Sequence, residues 1–94
     1  MFDIVFTTTA ESYLRRVKRF YARQILVAID RHLRHEPERP SKASIKRLRG
    51  RQRATFRLRA GEYRVFYDVG ENTVTVVAIL HKSETAQFYE KEQA

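Results

Sequence analysis

From Ile45 to His81 the chain reads IKRLRGRQRATFRLRAGEYRVFYDVGENTVTVVAILH, and the alternation inside that stretch leaves few folds open. Ala54 to Ala60 sets Phe56 and Leu58 against Thr55, Arg57 and Arg59. Tyr63 to Val69 sets Tyr63, Val65, Tyr67 and Val69 against Arg64, Phe66 and Asp68. Thr73 to His81 is a third, β-branched run. Period two with β-branched and aromatic enrichment predicts three strands behind a basic lead-in, and Gly61 and Gly70 supply the positive φ of short hairpin turns. If each loop holds two residues, Arg57, Arg59 and Arg64 share a face with Phe66, Val77, Ile79 and His81. Phe56, Leu58, Tyr63, Val65, Tyr67, Val74, Val76, Ala78 and Leu80 then form a hydrophobic face. A one-residue slip would exchange the two sets.

The rest of the chain reads as cover for that hydrophobic face. Phe2, Ile4 and Phe6 alternate with polar or smaller neighbours, predicting an opening strand. Thr8 followed by Glu11 has the spacing of a capping box, so a helix starts at once. Ala10, Tyr13, Leu14, Val17 and Phe20 or Tyr21 recur at helical intervals, with Tyr13 and Phe20 expected in the core. A second helical pattern runs through Ala22, Ile25, Leu26, Ile29 and Leu33 and ends before Pro37. One helix from Thr9 to His35 would be about 40 Å long at ~1.5 Å per residue, too long for so small a sheet, which predicts a break near Lys18 to Phe20. Pro37 to Ser44 reads as a loop, and Ser83 to Glu92 as a short helix capped by Ser83. The expected fold is a two-layer α+β domain spanning residues 1–94, β-α-α-β-β-β with a C-terminal α, in which a helical hairpin covers one face of a small, antiparallel-rich sheet.

Charge then narrows the function. The net charge is +8 over 94 residues. Nine Lys or Arg and a single acid, Glu62, fall between Lys42 and Arg64, a field that attracts nucleic acid or an acidic protein. There is no cysteine, hence no disulfide and no thiolate metal site. Apolar runs such as Val76 to Leu80 are far too short to span a bilayer, so the expected location is cytoplasmic with no membrane partner. No Gly-rich phosphate loop, nucleophile elbow or metal-ligand spacing is present, and no metal or cofactor is expected. His32 and His35 read as solvated residues near a helix C-terminus. An arginine-lined sheet with one imidazole, His81, can cleave RNA without a metal: arginines hold and neutralise the phosphorane, and His81 or Lys82 exchanges protons. It can equally dock an acidic partner and catalyse nothing.

The run Leu58-Arg59-Ala60-Gly61-Glu62-Tyr63-Arg64-Val65-Phe66-Tyr67-Asp68-Val69 resembles the L-R-x-G-x-Y-R-V-x-Y-D-V pattern of the RelE/ParE superfamily of bacterial toxins. Lys46 to Gly50 resembles the K-x-L-x-G that precedes it there, and Val74 to Lys82 resembles the closing strand. The resemblance implies a toxin neutralised by an acidic antitoxin. RelE-like members cut mRNA on the ribosome; ParE-like members inhibit DNA gyrase without cleaving anything, and a third expectation is a member that only binds its antitoxin. Carried onto this sequence, the RelE-like pattern picks out Arg64, Arg57, His81 and Lys82 as catalytic. Tyr89 would stack on a base and Arg59 would contact RNA. Arg47, Arg49, Arg51 and Arg53 would supply attraction to ribosomal RNA or to the antitoxin.

Overall fold

The computed structural model describes residues 1–41, 44–49 and 54–86. In chain order they form β1 (Asp3–Phe6), α1 (Thr8–Arg16), α2 (Arg19–Leu33), β2 (Ile45–Arg47), β3 (Phe56–Ala60), β4 (Tyr63–Val69) and β5 (Thr73–His81), then one 3-10 turn, Lys82–Glu84. The five strands form one mixed sheet in the order β1-β5-β4-β3-β2. β1 runs parallel to β5, and every other pair is antiparallel. The α+β fold is as expected, with one strand added. β2 was read only as a basic lead-in, but Ile45 is buried opposite Leu58, so the lead-in pairs as the sheet's edge.

α1 ends because Val17 and Lys18 are both extended, with ψ of 145° and 141°, and α2 starts afresh at Arg19. The break therefore falls where helix length requires it. α1 packs on β1 and β5, and α2 on β3. The core between the layers contains Ala10, Ile25, Ile29 and Leu33 from the helices and Phe56, Leu58, Val65, Tyr67, Val74, Val76 and Ile79 from the sheet. At about 1.5–3 kcal/mol for each large apolar side chain fully removed from water, this cluster is what holds the layers together. Tyr67 is fully buried, and its hydroxyl donates to Pro37 O at 2.6 Å, which anchors the loop after α2. Phe20, expected inside, is 72% exposed: the helix break rotates it away from the sheet.

The β3–β4 hairpin has the expected two-residue loop, with Ala60 opposite Tyr63. Gly61 takes φ +64°, a conformation that side chains rarely adopt, so the turn requires glycine; the nearest neighbour of a Cβ there would be the movable end of Gln24, at 2.8 Å. The β4–β5 loop holds four residues instead of the expected two, and Gly70 does not take the expected positive φ. The pair keeps the expected parity as far as Tyr67 and departs from it beyond. Tyr67 faces Val76 while Phe66 faces Ala78, so β5 carries a bulge that leaves Val77 without an opposed residue. One extra residue reverses every side chain beyond it. Ile79 and His81 consequently lie on the helix side, and Ala78 and Leu80 on the open face, the reverse of the sequence-based assignment.

The bulge is held from β1. Thr7 Oγ1 donates to Val77 O at 3.1 Å and accepts from Ala10 N at 3.2 Å, while Thr7 N donates to Val76 O at 3.0 Å. One hydroxyl thus satisfies the displaced carbonyl and caps α1. The capping residue is Thr7 rather than Thr8, and Glu11 pairs with Arg15 at 3.3 Å instead of closing a capping box.

Candidate functional site

Three strands carry the open cationic face. Lys46 stands opposite Arg57, and Arg59 opposite Arg64. Like charges placed directly across a sheet repel by some 0.2–1 kcal/mol a pair, and none of the ion pairs among the described residues involves Lys46, Arg57 or Arg59. Asp68, the acid on the same face of β4, accepts from Thr55 N and Thr55 Oγ1, both at 2.8 Å. Its carboxylate is therefore directed to the β3 start and away from the cations. Phe66 forms the floor: it is fully buried although its strand position points away from the helices.

Arg57 is the notable member. It is half-buried, and its Nε is buried with no hydrogen-bond acceptor among the described residues. A buried donor left unsatisfied costs ~1–3 kcal/mol, so Arg57 occupies this face at a cost to the fold. Arg64 behaves differently. Its Nη1 donates to Gly61 O and Tyr63 O, both at 2.9 Å, so the guanidinium braces the hairpin turn.

The remaining expected residues gather at the same end of the sheet. Lys82 Nζ lies 3.0 Å from Glu62 Oε1 at the hairpin tip, and Lys82 N donates to Glu62 O at 2.8 Å. The bond from Lys82 and its charge hold the Glu62 carboxyl below its ordinary range. His81 is on the opposite side from Arg57, edge-on to Tyr63 with centroids 5.3 Å apart. It caps the 3-10 turn, a role expected of Ser83: its Nδ1 accepts from Ser83 N at 3.2 Å and meets Ser83 Oγ at 2.9 Å. Accepting at Nδ1 leaves the neutral ring's proton on Nε2.

Behind His81 lies a network the sequence reading missed. The Tyr13 hydroxyl donates to Glu84 Oε1 at 2.6 Å and accepts from His81 N at 3.0 Å, while His81 N also reaches Glu84 Oε1 at 2.8 Å. Burial first, then the bond to Glu84, pushes the Tyr13 phenol up to about 12. The Tyr13 bond and the His81 N–H hold Glu84 below the usual carboxylate range. The sequence signal for this network was faint, since Tyr13 read as an ordinary core position.

The arginines upstream are dispersed. Arg47 lies over the Phe56 ring at 5.4 Å, on the helix side, and Arg49 is exposed after β2. Arg51, Arg53 and Tyr89, and most of the expected C-terminal helix, fall outside the described residues. Lys46, which sequence reasoning left out of the site, enters it because β2 pairs with β3 and sets it opposite Arg57. Among the described residues no three His, Cys, Asp or Glu side chains are grouped to hold a metal, and no helix is long and apolar enough to cross a membrane.

Residues 4–86 match the family described as the ParE toxin of the type II toxin-antitoxin system, parDE. No curated protein sequence matches the chain. Among solved structures, the toxin-antitoxin complex RelBE2 from Mycobacterium tuberculosis is similar at 29% identity and a TM-score of 0.69, covering 85% of this chain and 96% of that one. The archaeal RelE-RelB complex from Pyrococcus horikoshii OT3 is similar at 21% identity and a TM-score of 0.70, over 86% and 94% of the two chains. The RelB-RelE complex from Methanococcus jannaschii is similar at 21% identity and a TM-score of 0.68, over 90% and 98%. At 21% identity these last two speak for the fold alone. The family match spans nearly the whole chain, and the chain belongs to the RelE/ParE superfamily of toxins of type II toxin-antitoxin systems.

Proposed function

We propose that this toxin is a RelE-like, ribosome-dependent mRNA endonuclease, held inactive by an acidic antitoxin. The observation that carries the reading is Arg57, with its Nε out of water and unsatisfied, between Lys46 and Arg59 over a buried Phe66. A phosphodiester supplies the acceptor oxygens and the negative charge that this cluster lacks. Similarity to the toxin of the Mycobacterium tuberculosis toxin-antitoxin complex supports both the toxin role and an antitoxin partner.

In the reaction, the 2′-hydroxyl loses its proton to water as its oxygen attacks phosphorus, the P–O5′ bond breaks, and the 5′-oxygen leaves with a proton from the Lys82 ammonium. The fragment upstream of the cut keeps a cyclic phosphate. Arg57, Arg59 and Lys46 stabilise the charge on the phosphorane oxygens, while Arg64 fixes the hairpin that carries them. Lys82, at the hairpin tip, is better placed for proton exchange than His81, whose Nδ1 is occupied by its capping bond and whose ring projects from the other face. The set is electrostatically strong and poor in free general bases, which suits an enzyme whose substrate is aligned by the ribosome. Tyr89 remains the candidate for stacking on a base.

The test is induced expression in a bacterium with primer extension on a reporter mRNA, comparing wild type, Arg57→Ala and Arg64→Ala. Discrete in-frame cuts that vanish with Arg57→Ala are expected. Growth arrest with intact mRNA and a DNA-damage response would overturn the nuclease and make gyrase the target. No arrest from soluble wild type would leave an antitoxin-binding member without activity of its own.

A further inference from the structure

On the helix side of the same sheet end, the α1–α2 break opens a cleft of about 530 Å³ lined by Tyr13, Arg16, Val17, Lys18, Tyr21, Tyr63 and Glu84. Tyr13, Tyr21 and Tyr63 give it aromatic walls, and the rings continue beyond it on either side. Phe20, 72% exposed, meets Tyr21 edge-on at 5.2 Å; Tyr21 meets Tyr63 at 5.8 Å; Tyr63 meets His81 at 5.3 Å. Its rim is cationic: Arg16 lies 5.6 Å over the Tyr13 ring, and Arg16 and Lys18 enter none of the ion pairs among the described residues. Its wall carries one carboxylate, Glu84, which is exposed. Both of that group's hydrogen bonds fall on Oε1, which leaves Oε2 for a further donor.

We propose that this cleft binds one nucleotide of a single-stranded nucleic acid, with the base against Tyr21 and Tyr63 and the phosphate on Arg16 and Lys18. The inference rests on the RNA-cleaving reading of the toxin and extends it to a second contact on the opposite face. Tyr63 and Arg64 are consecutive residues at the hairpin, so a strand leaving the arginine face passes round the sheet end into the cleft. Interleaved rings and cations suit a chain that alternates bases and phosphates, and stacking accepts any base. Glu84 argues against the other polyanion, an acidic peptide, because a carboxylate in the wall repels carboxylates yet accepts from the exocyclic amine of adenine, cytosine or guanine. Cytosine is therefore favoured over uracil, its closest match in size.

The test measures binding of a fluorescent 2′-O-methyl oligoribonucleotide, which lacks the attacking hydroxyl, to wild type, to Tyr21→Ala, and to Arg16→Gln with Lys18→Gln. Each is repeated in a background carrying Arg57→Ala and Arg59→Ala. Tyr21 and Lys18 are exposed, so folding is preserved. Tyr21→Ala should weaken binding about tenfold in both backgrounds. The paired Gln variant should reduce the log–log salt slope by about 0.7, the value for one phosphate contact on a single strand. Oligo(C) should bind tighter than oligo(U), and a 4-thiouridine probe should cross-link to Tyr21 or Tyr63. Binding that ignores Tyr21→Ala and disappears with the arginine-face variants would overturn the cleft and leave mRNA cleavage standing. Absence of binding together with intact mRNA in cells would sink both readings. If poly-glutamate binding responds to Tyr21→Ala and oligonucleotide binding does not, the cleft is a protein-docking surface and the proposal is wrong.

Discussion

Replacing Arg57 with Met should make the protein more stable and harmless at once. Most substitutions in a folded domain destabilise it, typically by ~0.5–3 kcal/mol, so the sign of this effect is diagnostic. Arg57 brings two unfavourable interactions into the folded state. Its Nε is buried without an acceptor, which costs ~1–3 kcal/mol, and it stands opposite Lys46, which adds ~0.2–1 kcal/mol of repulsion. Methionine keeps an unbranched stem of similar reach over Phe66 and removes both, while losing the solvation of the exposed guanidinium edge and some packing. A net gain of about 1 kcal/mol remains, which for a domain of this size corresponds to a Tm rise of roughly 4–8 °C. The assays are urea denaturation followed by circular dichroism, and growth on induction. Added oligonucleotide should raise the midpoint of wild type more than that of Arg57→Met, because a native state is stabilised in proportion to how well it binds the ligand. A variant less stable than wild type by 1 kcal/mol or more would refute the reasoning, since Arg57 would then be a structural member of the sheet.

Two further predictions concern the supports of the site. Thr7→Val removes both the α1 cap and the donor to Val77 O, and should cost roughly 2–3 kcal/mol with Thr7→Ser restoring most of it; a loss under about 0.5 kcal/mol in denaturant titration would show that the bulge holds itself. The Tyr13–Glu84 bond sets two pH limits. Glu84 is depressed in the folded state, so its contribution is present above its ordinary value of 4.5 and is lost as pH falls through the lower folded value. Tyr13 is raised from 10.0 to about 12, so its contribution is complete below pH 10 and is lost as pH climbs toward 12. Denaturation midpoints across pH should therefore fall at both ends, and Tyr13→Phe should flatten both limbs; identical profiles for the two proteins would remove the bond from the account.

How much of this was legible in the sequence depended on whether a local signal had to be unique. The β3–β4 turn was legible because Gly61 fills a position that needs positive φ, and the arginines on either side inherit their face from it. The helix break was legible from length alone. The bulge was not. Val74 to Leu80 is apolar at nearly every position, so a one-residue slip places a hydrophobic side chain on either face at little cost, and alternation carries no information about register. What fixes the slip is Thr7, seventy residues away, whose hydroxyl accommodates the displaced carbonyl of Val77. The consequence reaches the chemistry, because His81 lies beyond the slip. Read without the bulge, His81 joins Arg57 in a single catalytic face. With it, His81 backs onto Tyr63 and Tyr13, and the sheet end has two sides: cations over Phe66 on one, and rings with Arg16 and Lys18 on the other. Lys46 was hidden for a related reason, since three residues of strand are too few to show a period. In both cases a long-range backbone contact decided which side chains share a surface, and only the paired strands reveal it.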